Sequence, residues 1–168
     1  MSARPALRTE RDKTITRPAG FYPPFGGDSV VVDDLIITRD RLGALFPVTY
    51  PQVLPVPSRM WSSDEWARIK RGFRTRHPQG RWNAVVEDDR LFLFRNGSGR
   101  GIYEAQFSPI GEGWCITELI MCGDPAVHQR DTDEAHVLHL EALVDSVLLD
   151  NWDSQAIRKI QALETVSA

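Results

Sequence analysis

Apolar and polar side chains alternate with a period of two through residues 82–122, the signature of β-strands. Trp82, Ala84 and Val86 alternate with Asn83, Val85 and Glu87. In 91–95, Leu91 and Leu93 fall on one side and Phe92 and Phe94 on the other. Both sides of that strand are apolar, which predicts an interior strand covered on two faces. Residues 101–107 form a third strand, with Tyr103, Ala105 and Phe107 on one face. Residues 114–122 form a fourth, with Trp114, Ile116 and Ile120 facing away from Leu119 and Met121. The breaks are Asp88-Asp89, Asn96-Gly97-Ser98-Gly99 and the stretch from Pro109 to Gly113. Asp and Gly suit tight turns, and breaks this short predict an antiparallel meander of sequential neighbours.

The period changes on either side of this block. Residues 61–72 read as a helix with Ser62 as N-cap, Glu65 completing a capping box, and Trp61 and Trp66 at the two staple positions. Trp66, Ile69 and Phe73 share its inward face, and Gly72 suits a left-handed ending. Residues 131–149 read as a longer helix, capped by Asp131 or Thr132. Its broad apolar face of Val137, Leu140, Val144, Val147 and Leu148 predicts burial across the sheet. Asn151, Asp153 and Ser154 interrupt it, and Ile157, Ile160 and Leu163 mark a short terminal helix.

Upstream, Pro47, Pro51, Pro55 and Pro57 predict an extended connection or an edge strand. Residues 39–45 suit a helical turn, and 30–32 with 35–38 a hairpin or a single strand. The segment 18–27 is rich in Pro, Gly and aromatic rings, and 1–17 is a flexible basic arm. The expected architecture is therefore α+β: the arm 1–17, then a single domain over 18–168. That domain is an antiparallel sheet of four or more strands, packed by one long C-terminal helix and shorter helices.

Composition narrows the function classes. The 168 residues carry a formal net charge of −3, which disfavours a dedicated nucleic-acid binder. Only Cys115 and Cys122 are present, no disulfide scaffold is expected, and no long apolar run predicts a membrane span. The expected setting is cytoplasmic.

The chemistry-bearing side chains form no catalytic signature. Asn96-Gly97-Ser98-Gly99 lacks the lysine of a phosphate-binding loop and joins two strands instead of opening a helix, so it reads as a plain turn. His136 and His139 share a helix face, with His128 and Asp131 before it, but no recognised ligand spacing surrounds them. They read as surface or partly buried helix histidines; no metal and no cofactor is expected. Arginine recognises phosphate through a planar fork, so Arg95 and Arg100 beside the glycine turn are candidate anion clamps, with Arg74 or Arg81 from the basic stretch 70–81. Trp82 or Tyr103 would pack against an organic ring, and Glu104 is the nearest candidate acid or base. Phe21, Tyr22, Phe25 and Trp61 are the candidate protein contacts, because exposed aromatics anchor interfaces.

Arg81-Trp82, Glu87-Asp88, residues 91–95, Gly99, Ile102-Tyr103 and Trp114 resemble a small bacterial family of uncharacterised proteins. Its module is a tryptophan-led helix, a basic-Trp strand, an acidic turn, an arginine-ended strand and an Ile-Tyr strand. In some relatives the module accompanies domains that process ADP-ribose. The resemblance covers residues 61–122; the turn 96–99 departs from the family's Ser-Trp-Thr-Gly form, and no catalytic residue is implied. Two functions are compatible with these readings. The first is a non-enzymatic interaction protein of the adaptor, inhibitor or immunity kind. The second is a binder of, or enzyme acting on, a phosphorylated nucleotide-like ligand.

Overall fold

The computed structural model describes residues 36–166. The basic arm, Phe21, Tyr22, Phe25 and the first half of the expected 30–38 hairpin lie outside them. The fold is α+β. Six strands are present: β1 (Pro51–Leu54), β2 (Met60–Ser62), β3 (Trp82–Glu87), β4 (Arg90–Arg95), β5 (Gly101–Ile110) and β6 (Gly113–Cys122). They form one antiparallel sheet in the order β1-β6-β5-β4-β3, with β2 on β6 beside β1. The proline-rich stretch supplies the edge strand β1, where missing amide protons cost no ladder bonds.

Local chemistry explains the connections. Asp88 and Asp89 both take positive φ, 49° and 60°, as a two-residue hairpin with the strands' own twist requires. Gly99 takes φ 70°, and a Cβ there would lie 2.0 Å from the Ala44 carbonyl oxygen. Helix α1 (Ser63–Ile69) begins with the full capping box: the Glu65 amide donates to Ser62 Oγ and the Ser62 amide to Glu65 Oε2. Helix α2 (Asp133–Leu143) is capped by Thr132 and continues as a buried π-helical turn, Val144–Leu148; α3 (Gln155–Val166) follows.

The helices cover one face of the sheet, and the main core lies between. Leu91, Leu93, Tyr103, Ala105, Phe107, Leu119 and Met121 meet Leu140, Leu143 and Ile157 there. Trp61 is fully buried in this core, so it is not an exposed interface anchor. It packs edge-on against Phe107, which also stacks on Trp66. The opposite face buries Val85 and Phe94 under Ile37, with Leu42 and Leu45, and Arg39 lies over Phe92. Interior strand β4 is thus covered on both sides.

Two β-bulges reset the alternation. Thr117 is the extra residue between the pairs Gln106↔Glu118 and Phe107↔Ile116. Ile116 and Trp114 therefore join Leu119 and Met121 in the main core instead of facing away from them. Glu118 falls on the other face, where Arg90 holds it together with Glu104 at 2.9 Å each. The second bulge places Ile102 between the pairs Leu93↔Tyr103 and Phe94↔Gly101.

Candidate functional site

The inner face of the β3–β4 hairpin ends in a charge. Leu91, Leu93 and Arg95 follow one another along β4, opposite Val86, Ala84 and Trp82 on β3. Past the last leucine the core stops, and the Arg95 guanidinium lies 4.3 Å from the centre of the buried Trp82 ring. A polar clasp fixes this end of the hairpin. Buried Asn83 accepts from the Thr75 amide and donates to Asn96, whose own amide group donates to the Gly80 carbonyl. Burial, then the nearby Arg81 guanidinium, pushes the Arg95 pKa down from the ordinary arginine value. Among the described residues no carboxylate forms an ion pair with Arg95.

Beside Arg95, Tyr103 projects from β5 toward the first turns of α2. Its oxygen lies 3.2 Å from His136 Nδ1, 3.0 Å from His139 Nδ1 and 3.2 Å from His128 Nε2. The helix supplies His136 and His139 one turn apart on a single face. His128 arrives from the β6–α2 loop, where the Asp124 carboxylate accepts the Ala126 amide and the Asp124 carbonyl accepts the His128 amide. His128 and His136 are buried and His139 is half-buried, so none is a surface histidine.

Burial is the main force on their titration. It lowers His128 to about 4 and His139 to about 3, with the neighbouring imidazoles and Arg95 pushing the same way. It lowers His136 as well, against the pull of Asp131 and Asp133. The three imidazoles are therefore neutral at pH 7. Burial also raises the Tyr103 phenol, so it keeps its proton. The phenol oxygen occupies the point on which the imidazoles converge. Their nitrogens stand 3.0–3.2 Å from it, against about 2.0–2.1 Å for a zinc–imidazole bond. Among the described residues no group of three or more His, Cys, Asp or Glu is arranged to hold a metal ion.

A cavity of about 430 Å³ opens over this cluster. Arg81, Trp82 and Arg95 line it from the sheet, and His128 and Asp131 from the loop. His136, Leu138 and His139 contribute from α2; Ile160, Leu163 and Glu164 contribute from α3. The volume falls within the range of small-molecule sites.

Three of the candidate ligand residues, Arg81, Trp82 and Arg95, are brought together here. Tyr103 lies beneath the histidines, as their common partner, and is not part of the wall. The apolar wall for an organic group is Leu138, Ile160 and Leu163 instead. Arg100 and Arg74 are exposed and outside the cavity, and Glu104 is tied to Arg90 on the far face of the sheet. The histidines were visible as a same-face pair on a helix, but no spacing connects them to Tyr103. Among the described residues no helix is long and apolar enough to cross a membrane. Comparison with protein-family models, with curated proteins and with solved structures finds no match.

Proposed function

We propose that this protein binds a small phosphorylated organic ligand in the cavity beside Arg95. The observation that carries the reading is a half-buried guanidinium with no carboxylate partner among the described residues, at the wall of a ligand-sized cavity. An anion would supply the missing counter-charge, and desolvated charge-assisted hydrogen bonds are among the stronger polar contacts. Leu138, Ile160 and Leu163 would shelter the organic part. Because Arg95 already covers one face of Trp82, base stacking there is not required. Free Cys115 and Cys122 are compatible with a reducing, cytoplasmic setting.

A thermal-shift panel of nucleotides, ADP-ribose, sugar phosphates and divalent metals tests this. A binder present at a hundred times its Kd should add about 2.7 kcal/mol of stability. The expected result is a selective shift by a phosphorylated compound that Arg95→Met removes. No shift by any member, or one that survives Arg95→Met, would overturn the reading.

A second reading, a protein-interaction role, rests on a different observation. Tyr50, Val53 and Met60 are 75%, 71% and 54% exposed along the β1–β2 edge. Exposed apolar side chains gathered at a sheet edge favour a partner. Co-purification from the native cell should then recover a stoichiometric protein, lost in a Tyr50→Ser/Val53→Thr variant.

A further inference from the structure

The fixed charges around the cavity cancel. Arg81 and Arg95 stand against Asp131 and Glu164, so the histidines decide whether the site as a whole is positive. Their hydrogen bonds show which one has room for a proton. A phenol has one proton to give and two lone pairs to receive, so three imidazole contacts saturate Tyr103. Two of the imidazoles donate to it and one accepts. The Asp131 amide donates to His136 Nε2 at 3.0 Å, so neutral His136 carries its proton on Nδ1 and gives it to the phenol oxygen. Protonating Nε2 of His136 would break the Asp131 bond. His128 differs: with its Nε2–H as the second donor to the phenol and His139 as the acceptor, its Nδ1 carries no proton, is buried and has no hydrogen-bond partner among the described residues. A proton placed there displaces nothing.

What keeps His128 neutral is its surroundings. From β5 it meets a neutral phenol, from α2 two neutral imidazoles, and from β4 the Arg95 cation. Asp131 and Glu164 are exposed at the cavity rim. An anion held at Arg95 would cancel the nearest repulsion and bring negative charge into the buried space. Resting on the ligand reading above, we propose that the cavity takes up a dianionic oxyanion, of the phosphate-monoester class, together with one proton, and that His128 carries the proton. The site thereby prefers a terminal phosphate to a phosphodiester, whose single charge repays protonation less.

Inorganic sulfate is a suitable probe because its charge does not change between pH 5 and 8, whereas phosphate titrates in that window. Calorimetric titrations of the full chain with sulfate at several pH values, in buffers of different ionisation heat, read the coupling directly. The expected result is affinity rising toward acid by up to about tenfold per pH unit, the slope for one proton. The heat should vary with the buffer, and the slope should flatten in His128→Gln. Should that variant fold poorly, the imidazole NMR signals of the wild type give the same answer. Sulfate at pH 6 should move the His128 signals to their protonated positions. Binding with a flat pH profile and a buffer-independent heat would overturn proton uptake and leave the ligand reading standing. A slope that persists in folded His128→Gln, or unmoved His128 signals on saturation, would overturn the assignment to His128. No binding of sulfate, phosphate or any phosphorylated compound at any pH would overturn both readings.

Discussion

Helix α2 has a buried polar group at each end, and the two are built on opposite plans. At its C-terminal end, in the π-helical turn, the fully buried Asp145 meets Arg59 from the β1–β2 connection at 2.6 Å. Arg59 also lies over the Trp61 ring at 4.9 Å. The Arg59 pKa rises: desolvation lowers it, but the Asp145 hydrogen bond and charge more than offset that. The charges cancel within the pair. At the N-terminal end, three neutral imidazoles share the Tyr103 phenol as hydrogen-bond partner, and the adjacent Arg95 forms no ion pair among the described residues. Both regions carry buried polar atoms without partners among the described residues, Asp145 Oδ1 and His128 Nδ1. An orphaned atom alone therefore does not mark a site. What separates the two ends is a guanidinium without an ion-pair partner among the described residues, beside a cavity.

The sharpest break of this contrast is to open the closed pair. Arg59→Met leaves the Asp145 carboxylate buried without its cation, a change that costs about 3–5 kcal/mol. Urea unfolding should show that loss, while the sulfate affinity of the still-folded fraction stays within about twofold. Adding Asp145→Leu should recover most of the stability, because a buried ion pair can be replaced by apolar packing. A loss under about 1 kcal/mol in Arg59→Met would mean that Asp145 is compensated elsewhere, and the two ends would be less different than their geometry indicates.

Acid should act on the other end. The folded pKa values of His128 and His139, about 4 and about 3, lie below the ordinary histidine value of 6.5. Between those limits the unfolded chain binds more protons than the folded one, so stability falls as pH falls from about 6.5 toward 4. At pH 5 the loss is on the order of 2 kcal/mol for each of the two. Melting curves from pH 8 to pH 5 should record it, with a shallower decline in His139→Gln. Sulfate should restore more stability at pH 5 than at pH 8. A melting temperature indifferent to pH over this range would mean that the imidazoles are not buried as neutral groups.

Tyr103→Phe tests the same cluster without changing a charge. It removes the acceptor of two imidazole N–H groups and the donor to a third ring, and should cost about 1–3 kcal/mol. The discriminating measurement is the histidine titration by NMR, because a purely packing role for Tyr103 would leave the ring signals in place.

How much of this could be read from the chain follows the range of each interaction. The capping box, the Asp88-Asp89 hairpin and the inward face of Leu91 and Leu93 involve neighbours a few residues apart, and all are present. The same alternation carried Arg95 inward, but its place beside Arg100 at the turn hid the difference between them. The Thr117 bulge has no Gly or Pro to announce it, so simple alternation assigned Trp114 and Ile116 to the wrong face. Trp61 was readable two ways, as staple and as surface anchor, and its burial against Phe107 excludes the anchor. The histidine cluster was out of reach because Tyr103 lies on another element from all three rings. Only the docking of α2 on the sheet brings them together.

The smallest expected effect belongs to the arginines that the chain places near the site and the fold does not. Arg95 and Arg100 both flank the turn 96–99, and the Arg95 amide even donates to the Arg100 carbonyl at 2.9 Å. Yet Arg95 faces the cavity and Arg100 faces water, as does Arg74. An exposed guanidinium is screened within about 8 Å at physiological salt, and surface substitutions usually change stability by less than about 0.5 kcal/mol. Arg100→Ala and Arg74→Ala should therefore leave melting unchanged and alter sulfate affinity by less than about twofold, with the residual effect vanishing as salt is raised. Arg95→Met in the same assay should abolish binding. Equal losses from Arg95→Met and Arg100→Ala would mean that the anion sits on the turn, and the contrast between the two ends of α2 would no longer locate the site.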